Sequence, residues 1–151
     1  MKPSKSDTGQ HSFGFAVRRA HRAFDRALQR RLAAHGIATG YWYYLRALWD
    51  EDGLTQKQLS DRTGVAENTN AAMITAMMKD GLVTRTRAAD DKRKWRIALT
   101  PHAKELRGAL FPYVAEVNGI AATGISAKEQ ALFLDVIERM TANLAQENLT
   151  N

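Results

Sequence analysis

The stretch Leu54-Thr-Gln-Lys-Gln-Leu-Ser-Asp-Arg-Thr-Gly-Val-Ala-Glu-Asn-Thr-Asn-Ala-Ala-Met-Ile-Thr-Ala-Met-Met-Lys-Asp-Gly-Leu-Val83 reads as two short helices joined by a tight turn. Thr55 and Gln58, three residues apart, make a capping box; Leu59 follows one turn on, and Gly64 stops the first helix. Val65 is the apolar plug of the turn. From Glu67 the apolar positions Met73, Ile74, Met77 and Met78 recur at helical spacing until Gly81 ends the run. A pair of this length matches a helix-turn-helix, whose second helix is offered to a DNA major groove.

The residues that follow narrow the reading. Leu82–Arg87 alternates apolar and polar, Ala88–Lys94 is a short charged connection, and Trp95–Leu99 alternates again. This predicts a β-hairpin wing after the recognition helix. The hairpin is basic: Arg85, Arg87, Lys92, Arg93, Lys94 and Arg96 outnumber Asp90 and Asp91. Such a strand beside a groove-facing helix supplies phosphate and minor-groove contacts.

Working outward, residues 1–11 are polar and contain Pro, Ser and Gly, which predicts a disordered start. Phe13, Val17, Ala20, Phe24, Leu28 and Leu32 form the packing stripe of a first helix ending near Gly36. A second helix before Gly53 turns Trp42, Leu45, Leu48 and Trp49 inward. Beyond the wing, Thr100 caps a helix with Pro101 at its first position and Pro112 inside it, where a kink is expected. Gly124 closes that helix, and Ser126 with Glu129 caps a last one running through Leu132, Phe133, Val136, Ile137, Met140 and Leu144. The order is α-α-α-α-β-β-α-α, mainly helical with a small β-wing, with room for one short extra strand before the recognition pair. The first and last two helices carry apolar stripes that one chain would leave uncovered, so a two-fold homodimer is expected.

The 151 residues suit one domain with a proper core. Residues 1–35 hold eight cationic against two acidic residues, a net of +6, and residues 55–100 are net +4, so the basic character lies in the first helix and the wing. Basic surface suits nucleic acid, and anionic membranes would accept it too. The absence of cysteine excludes disulfides, thiolate metal sites and cysteine-based redox sensing. No apolar run spans a membrane and the N-terminus has no signal-peptide core, so a cytoplasmic location is expected. His11, His21, His35 and His102 are scattered and no nucleophile, metal or phosphate-loop motif is present, so neither catalytic residues, a metal nor a cofactor is expected.

Leu54-Thr-Gln-x-x-Leu-Ser, Thr-Gly-Val, Lys-Asp-Gly-Leu-Val-x-Arg, Asp-Asp-Lys-Arg and Ala-Leu-Thr-Pro together resemble the MarR family of bacterial transcriptional regulators, over nearly the whole chain. The resemblance implies one domain over residues 12–151, with a winged-helix lobe at 37–100 and dimerisation helices at 12–36 and 101–147. It also implies a dimeric repressor on a pseudo-palindromic operator in double-stranded DNA. An activator of the same fold, or an architectural DNA-binding protein without ligand control, are the alternatives.

Asn68, Thr69 and Asn70 begin the recognition helix and are placed to reach base edges; Asn pairs bidentately with adenine. By the resemblance, Arg93 at the wing tip is the minor-groove arginine and Asp91 the acidic residue preceding it. A guanidinium suits a narrow A·T minor groove, and a carboxylate can hold its rotamer. Thr55, Gln56, Arg87, Lys92 and Lys94 are placed for phosphates. The chain departs from the family at Ala66, where Ser or Thr is usual, and at Ala72, Thr75 and Ala76, where cations and an acid are common. Fewer cations on the helix imply greater reliance on the wing. The resemblance also implies a small aromatic acid or its coenzyme A thioester as effector. Its candidate contacts are His21, Arg22 and Phe24 on the first helix and Tyr41, Trp42 and Tyr44 on the second, because rings stack and Arg pairs with carboxylate or phosphate. For Trp42 and Tyr44 the reading as core is the preferred one, and Tyr41, His21 and Arg22 are the better ligand candidates.

Overall fold

The computed structural model describes residues 12–150. The expectation for residues 1–11 lies outside them. Six helices and three short strands follow in order: α1 (Phe13–Leu32), with a 3-10 turn at Ala33–His35, α2 (Thr39–Asp50), β1 (Leu54–Thr55), α3 (Gln56–Thr63), α4 (Glu67–Lys79), β2 (Val83–Arg87), β3 (Trp95–Leu99), α5 (Pro101–Ala121) and α6 (Ala127–Thr150). The chain divides into two compact units, one up to Val114 and one from Ala115 onward, so the boundary falls inside α5.

In the first unit the strands form one antiparallel sheet in the order β1-β3-β2. Leu54 pairs with Ile97, and Val83, Arg85 and Arg87 pair with Leu99, Ile97 and Trp95. Side chains alternate across a sheet, so this register turns Leu54, Ile97, Leu99 and Val83 into the core. Leu59 of α3, Ile74 and Met77 of α4, and Tyr44, Leu45 and Leu48 of α2 meet them there, each essentially without exposure. Trp42, Trp49 and Phe111 add an aromatic cluster with ring centroids 5.6–6.0 Å apart, and the Trp49 indole donates to the Ala103 carbonyl at 2.9 Å.

The ends of α3 follow from its residues. The Thr55 hydroxyl accepts from the Gln58 amide while the Gln58 side chain accepts from the Thr55 amide, a reciprocal capping box. Gly64 at φ +69° closes the helix in the left-handed region that a side chain disfavours. Thr55→Ala is therefore expected to cost about 1 kcal/mol in urea unfolding. An unchanged midpoint would mean that the box adds nothing. Helix α4 starts at Ala66 without a side-chain cap, and the Asn68 Oδ1 accepts from the Thr69 amide at 2.8 Å, so part of the missing cap is supplied from within the first turn.

Tyr41, in the first turn of α2, donates its hydroxyl to Asp80 Oδ2 at 2.7 Å, tying α2 to the residue that ends α4. Close by, a Cβ on Gly40 would lie 2.9 Å from Met73 Cε, so glycine lets these two helices approach. The Asp80 hydrogen bond, then burial, then the Asp80 charge push the Tyr41 phenol from 10.0 up to about 12. A raised phenol favours the neutral form in the native state. Its contribution is therefore complete below pH 10 and fades as pH rises from there through about 12. Tyr41→Phe should cost about 1–2 kcal/mol at pH 8, and the gap from the parent chain should narrow at pH 11.5. A gap that stays constant would place the stabilisation elsewhere.

Across the unit boundary in sequence, α5 runs unbroken through Pro112, so this proline removes one backbone hydrogen bond without ending the helix. The Thr100 hydroxyl accepts from the Ala103 amide, as its capping position requires. In the second unit, Ser126 caps α6. Its hydroxyl accepts from the Glu129 amide, and Glu129 Oε2 accepts from the Ser126 amide, which holds the Glu129 carboxyl below its ordinary range. Phe133 and Leu144 of α6 are 61% and 63% exposed.

Candidate nucleic-acid interface

The wing tip is built by its own hydrogen bonds. The Ala88 amide donates to the Lys94 carbonyl, and the Lys94 amide donates to the Asp91 carbonyl, both at 2.9 Å. The turn brings the Asp91 carboxylate under Arg93: Oδ1 accepts from the Arg93 amide at 3.0 Å and from Nε at 3.1 Å, and Oδ2 accepts from Nη2 at 3.4 Å. These contacts, the side-chain bond first, hold the Asp91 carboxyl below its ordinary range. Arg93 nevertheless keeps 91% of its side chain exposed. A short carboxylate brace thus sets the rotamer of an arginine that projects into solvent.

Lys92 and Lys94 are exposed on either side of Arg93. At the base of the wing Arg96 donates to the Gly53 carbonyl at 2.9 Å and pairs with Asp90 at 3.5 Å, which fixes the hairpin to the loop before β1. Between wing and helix pair lies a cleft of about 660 Å³, walled by Gln56, Lys57, Asn70, Arg93, Lys94 and Trp95 among others. Thr55 and Gln56, at the start of α3, are half-buried beside it, and the Thr55 hydroxyl is engaged as the helix cap.

Asn68 and Thr69 are exposed in the first turn of α4. Asn70 is not available in the way expected. It is 1% exposed, and its Nδ2 donates to the Gln56 carbonyl at 2.8 Å, fastening α4 to α3. The periodicity carried the signal: Asn70, Ile74 and Met77 are spaced four and three apart and share the core face. Asn70 is a packing and positioning residue, which leaves Asn68 and Thr69 as the exposed polar side chains at the start of α4, with Ala71 and Ala72 behind them.

Strand β2 carries a feature that residue types alone did not assign. Arg87 Cζ lies 3.7 Å and Arg85 Cζ 4.5 Å from the centroid of the Trp95 ring. Both arginines are exposed, and the indole between the strands is half-buried. The cross-strand pairing of Arg87 with Trp95 was visible only once the register was known.

Two of the candidate effector contacts are also corrected. Trp42 and Tyr44 are 3% and 1% exposed and belong to the hydrophobic core, where apolar packing on α2 turns them inward. Burial pushes the Tyr44 phenol upward. Tyr41 is buried with its hydroxyl on Asp80, while His21, Arg22 and Phe24 are exposed on α1. Tyr43, the exposed aromatic of α2, faces α1: its hydroxyl donates to Asp25 Oδ1 at 2.6 Å, and His21 Nε2 lies 3.2 Å from Asp25 Oδ2. Burial, then the Asp25 hydrogen bond, raises the Tyr43 phenol well above its ordinary value. Among the described residues no cluster of side chains suited to a metal ion is present, and no helix is long and apolar enough to cross a membrane.

Residues 41–95 match the model of the MarR family, a span from the start of α2 to the start of β3. The transcriptional regulator HosA of Escherichia coli O157:H7 is 31% identical over 96 residues, covering 64% of this chain and 71% of HosA. The chain belongs to the MarR family. This MarR-family chain is also 31% identical over 130 residues to the HTH-type transcriptional regulator TtmR of Methylorubrum extorquens, covering 86% of the chain and 66% of TtmR, just under two thirds of its length. The solved MarR transcriptional regulator of Methanosarcina mazei Go1 superposes with a TM-score of 0.82 at 26% identity, over 88% of this chain and 96% of that one. The chain is accordingly a DNA-binding transcriptional regulator of the MarR type with a winged-helix fold.

Proposed function

We propose that this MarR-type regulator acts as a homodimeric repressor that reads a pseudo-palindromic operator and leaves it when a small aromatic acid or its coenzyme A thioester binds. The observation that carries the reading is a braced, 91% exposed arginine at the wing tip beside an exposed Asn68-Thr69 pair at the start of the recognition helix. The helix start offers hydrogen bonds to base edges in the major groove. Arg93 offers a guanidinium to the adjacent minor groove, and Lys92, Lys94 and Arg87 offer charge to phosphates. In keeping with this, a putative MarR family regulator of Listeria monocytogenes with the same fold has been solved with 26mer DNA.

Dimerisation rests on the large apolar side chains left exposed on α1 and α6, Phe13, Phe15, Val17, Leu132, Phe133 and Leu144 among them. In a two-fold dimer the recognition helices enter successive major grooves roughly 34–36 Å apart. An effector that binds better to a dimer of any other spacing lowers operator affinity by the ratio of its affinities for the two states. His21, Arg22, Phe24 and Tyr43, near the contact of α1 with α2, supply rings and a cation for such a ligand. The PcaV regulator of Streptomyces coelicolor, of the same fold, has been solved in complex with its natural ligand.

Fluorescence anisotropy on DNA from the region upstream of the chain's own gene, repeated with a panel of aromatic acids and their coenzyme A thioesters, tests the effector. One compound is expected to release the DNA. If none does while the operator is still preferred over scrambled DNA, the effector reading is wrong and the DNA reading stands. If binding is indifferent to sequence with a steep salt slope, the architectural alternative is correct.

A further inference from the structure

Strand β2 places Arg85 and Arg87 two residues apart, hence on one face of the hairpin, and β3 sets Trp95 directly opposite Arg87. Both guanidiniums lie over the one indole, at 3.7 and 4.5 Å from its centroid. Two like charges gathered at a single ring repel each other. On and near the wing, Arg93 is paired with Asp91, Arg96 with Asp90 and Arg62 with Glu51. Among the described residues Arg85 and Arg87 form no ion pair. The ring holds them without neutralising them.

Stacking uses the face of a guanidinium and leaves its in-plane N–H groups for hydrogen bonds, and planar N–H forks match phosphate oxygens. Two such forks converging on the basic hairpin that carries the Arg93 tip are suited to a polyanion beside the wing. We propose that Trp95 is a positioning residue for DNA binding: it gathers Arg85 and Arg87 into a two-guanidinium clamp on the phosphate backbone next to the groove that Arg93 enters. The inference rests on the DNA-binding reading of the wing. It goes further by assigning a role to an uncharged residue and by pairing Arg85 with Arg87.

A phosphate clamp contributes affinity without sequence preference, and each phosphate contact steepens the fall of affinity with salt by a slope of about 0.9. The decisive experiment measures binding to the operator and to a scrambled duplex from about 50 to 200 mM salt. It compares the full chain, Arg85→Ala/Arg87→Ala, Trp95→Leu and Trp95→Phe, with far-UV circular dichroism of each. Arg85→Ala/Arg87→Ala, which changes only exposed side chains, is expected to lower affinity for both duplexes alike. The loss of affinity over that salt range should shrink about tenfold. Trp95→Leu, which removes no charge, should move the salt slope in the same direction, and Trp95→Phe, which keeps a ring, should restore it. Adding Trp95→Leu to the double arginine variant should have no further effect on the slope.

An unchanged slope in Arg85→Ala/Arg87→Ala overturns the clamp, and this variant decides the matter even if Trp95→Leu does not fold. A Trp95→Leu protein that folds and keeps the parent slope overturns the role of the ring while leaving two phosphate contacts. A parent chain that binds neither duplex overturns the underlying DNA reading, and the clamp with it.

Discussion

Aspartate at both Phe133 and Leu144 is expected to convert the regulator to a monomer and to weaken operator binding about a hundredfold or more. The two side chains lie eleven residues apart on α6, three helical turns, and so share a face with Ile137 and Met140. They are 61% and 63% exposed in the isolated chain, an unusual cost for a soluble helix unless a second copy covers them. A carboxylate buried in such a contact is strongly unfavourable, whereas on a solvated helix it costs little. The substitutions therefore select against the dimer while leaving the helix intact.

The effect on DNA follows from geometry. A dimer engages two half-sites at once, and the second engagement is intramolecular. Specific protein–DNA complexes commonly reach Kd values of about 10⁻⁸ to 10⁻¹¹ M, and non-specific ones about 10⁻⁴ to 10⁻⁶ M. A monomer with one recognition helix should fall toward the second range. Light scattering after gel filtration, together with anisotropy on the operator, reads both quantities. A parent chain that is already monomeric at micromolar concentration, or a double variant that stays dimeric, removes α6 from the interface.

The second large effect is on stability. Ile74→Ala is expected to cost about 2–5 kcal/mol, a large share of the roughly 5–15 kcal/mol that holds a typical domain together. Ile74 has no exposed surface and lies on the inner face of α4 with Met77, where the recognition helix rests on the hydrophobic core. Deleting its outer atoms leaves a cavity that the close packing of α3 on α4 cannot fully collapse. Urea unfolding followed by tryptophan fluorescence checks this. A loss below about 1 kcal/mol would mean that α4 is held mainly by its polar ties, Tyr41 to Asp80 and Asn70 to Gln56.

The architecture was legible because its punctuation is local. Thr55 with Gln58, Gly64, Thr100 with Pro101, and Ser126 with Glu129 each act within a few residues, and each marks the boundary that the structure has. The hairpin was equally plain from its two alternating runs, and β1 occupies the position allowed for a short extra strand. What depended on tertiary placement was less legible. Asn68 and Asn70 are the same residue type two positions apart, yet one faces solvent and the other the core, and only their phase relative to Ile74 separates them. Trp42 and Tyr44 look like ligand aromatics by type and are core by position. Tyr43, one residue away from both, turns instead to Asp25. The stacking of Arg85 and Arg87 on Trp95 depends on strand register, a long-range property with no mark of its own in the chain.

The central claim is that the start of α4 reads bases while the wing tip anchors the complex. It is tested most directly by anisotropy on the operator and on a scrambled duplex of equal length, for the parent chain, Asn68→Ala/Thr69→Ala and Arg93→Ala. The parent chain should prefer the operator by a wide margin. Asn68→Ala/Thr69→Ala should lose most of that preference while binding scrambled DNA as before, because only base-edge contacts are removed. Arg93→Ala should weaken the operator complex by about tenfold or more, in the range of 1–3 kcal/mol for a specific contact. Equal binding of both duplexes by the parent chain, or full operator preference in Asn68→Ala/Thr69→Ala, would contradict the account.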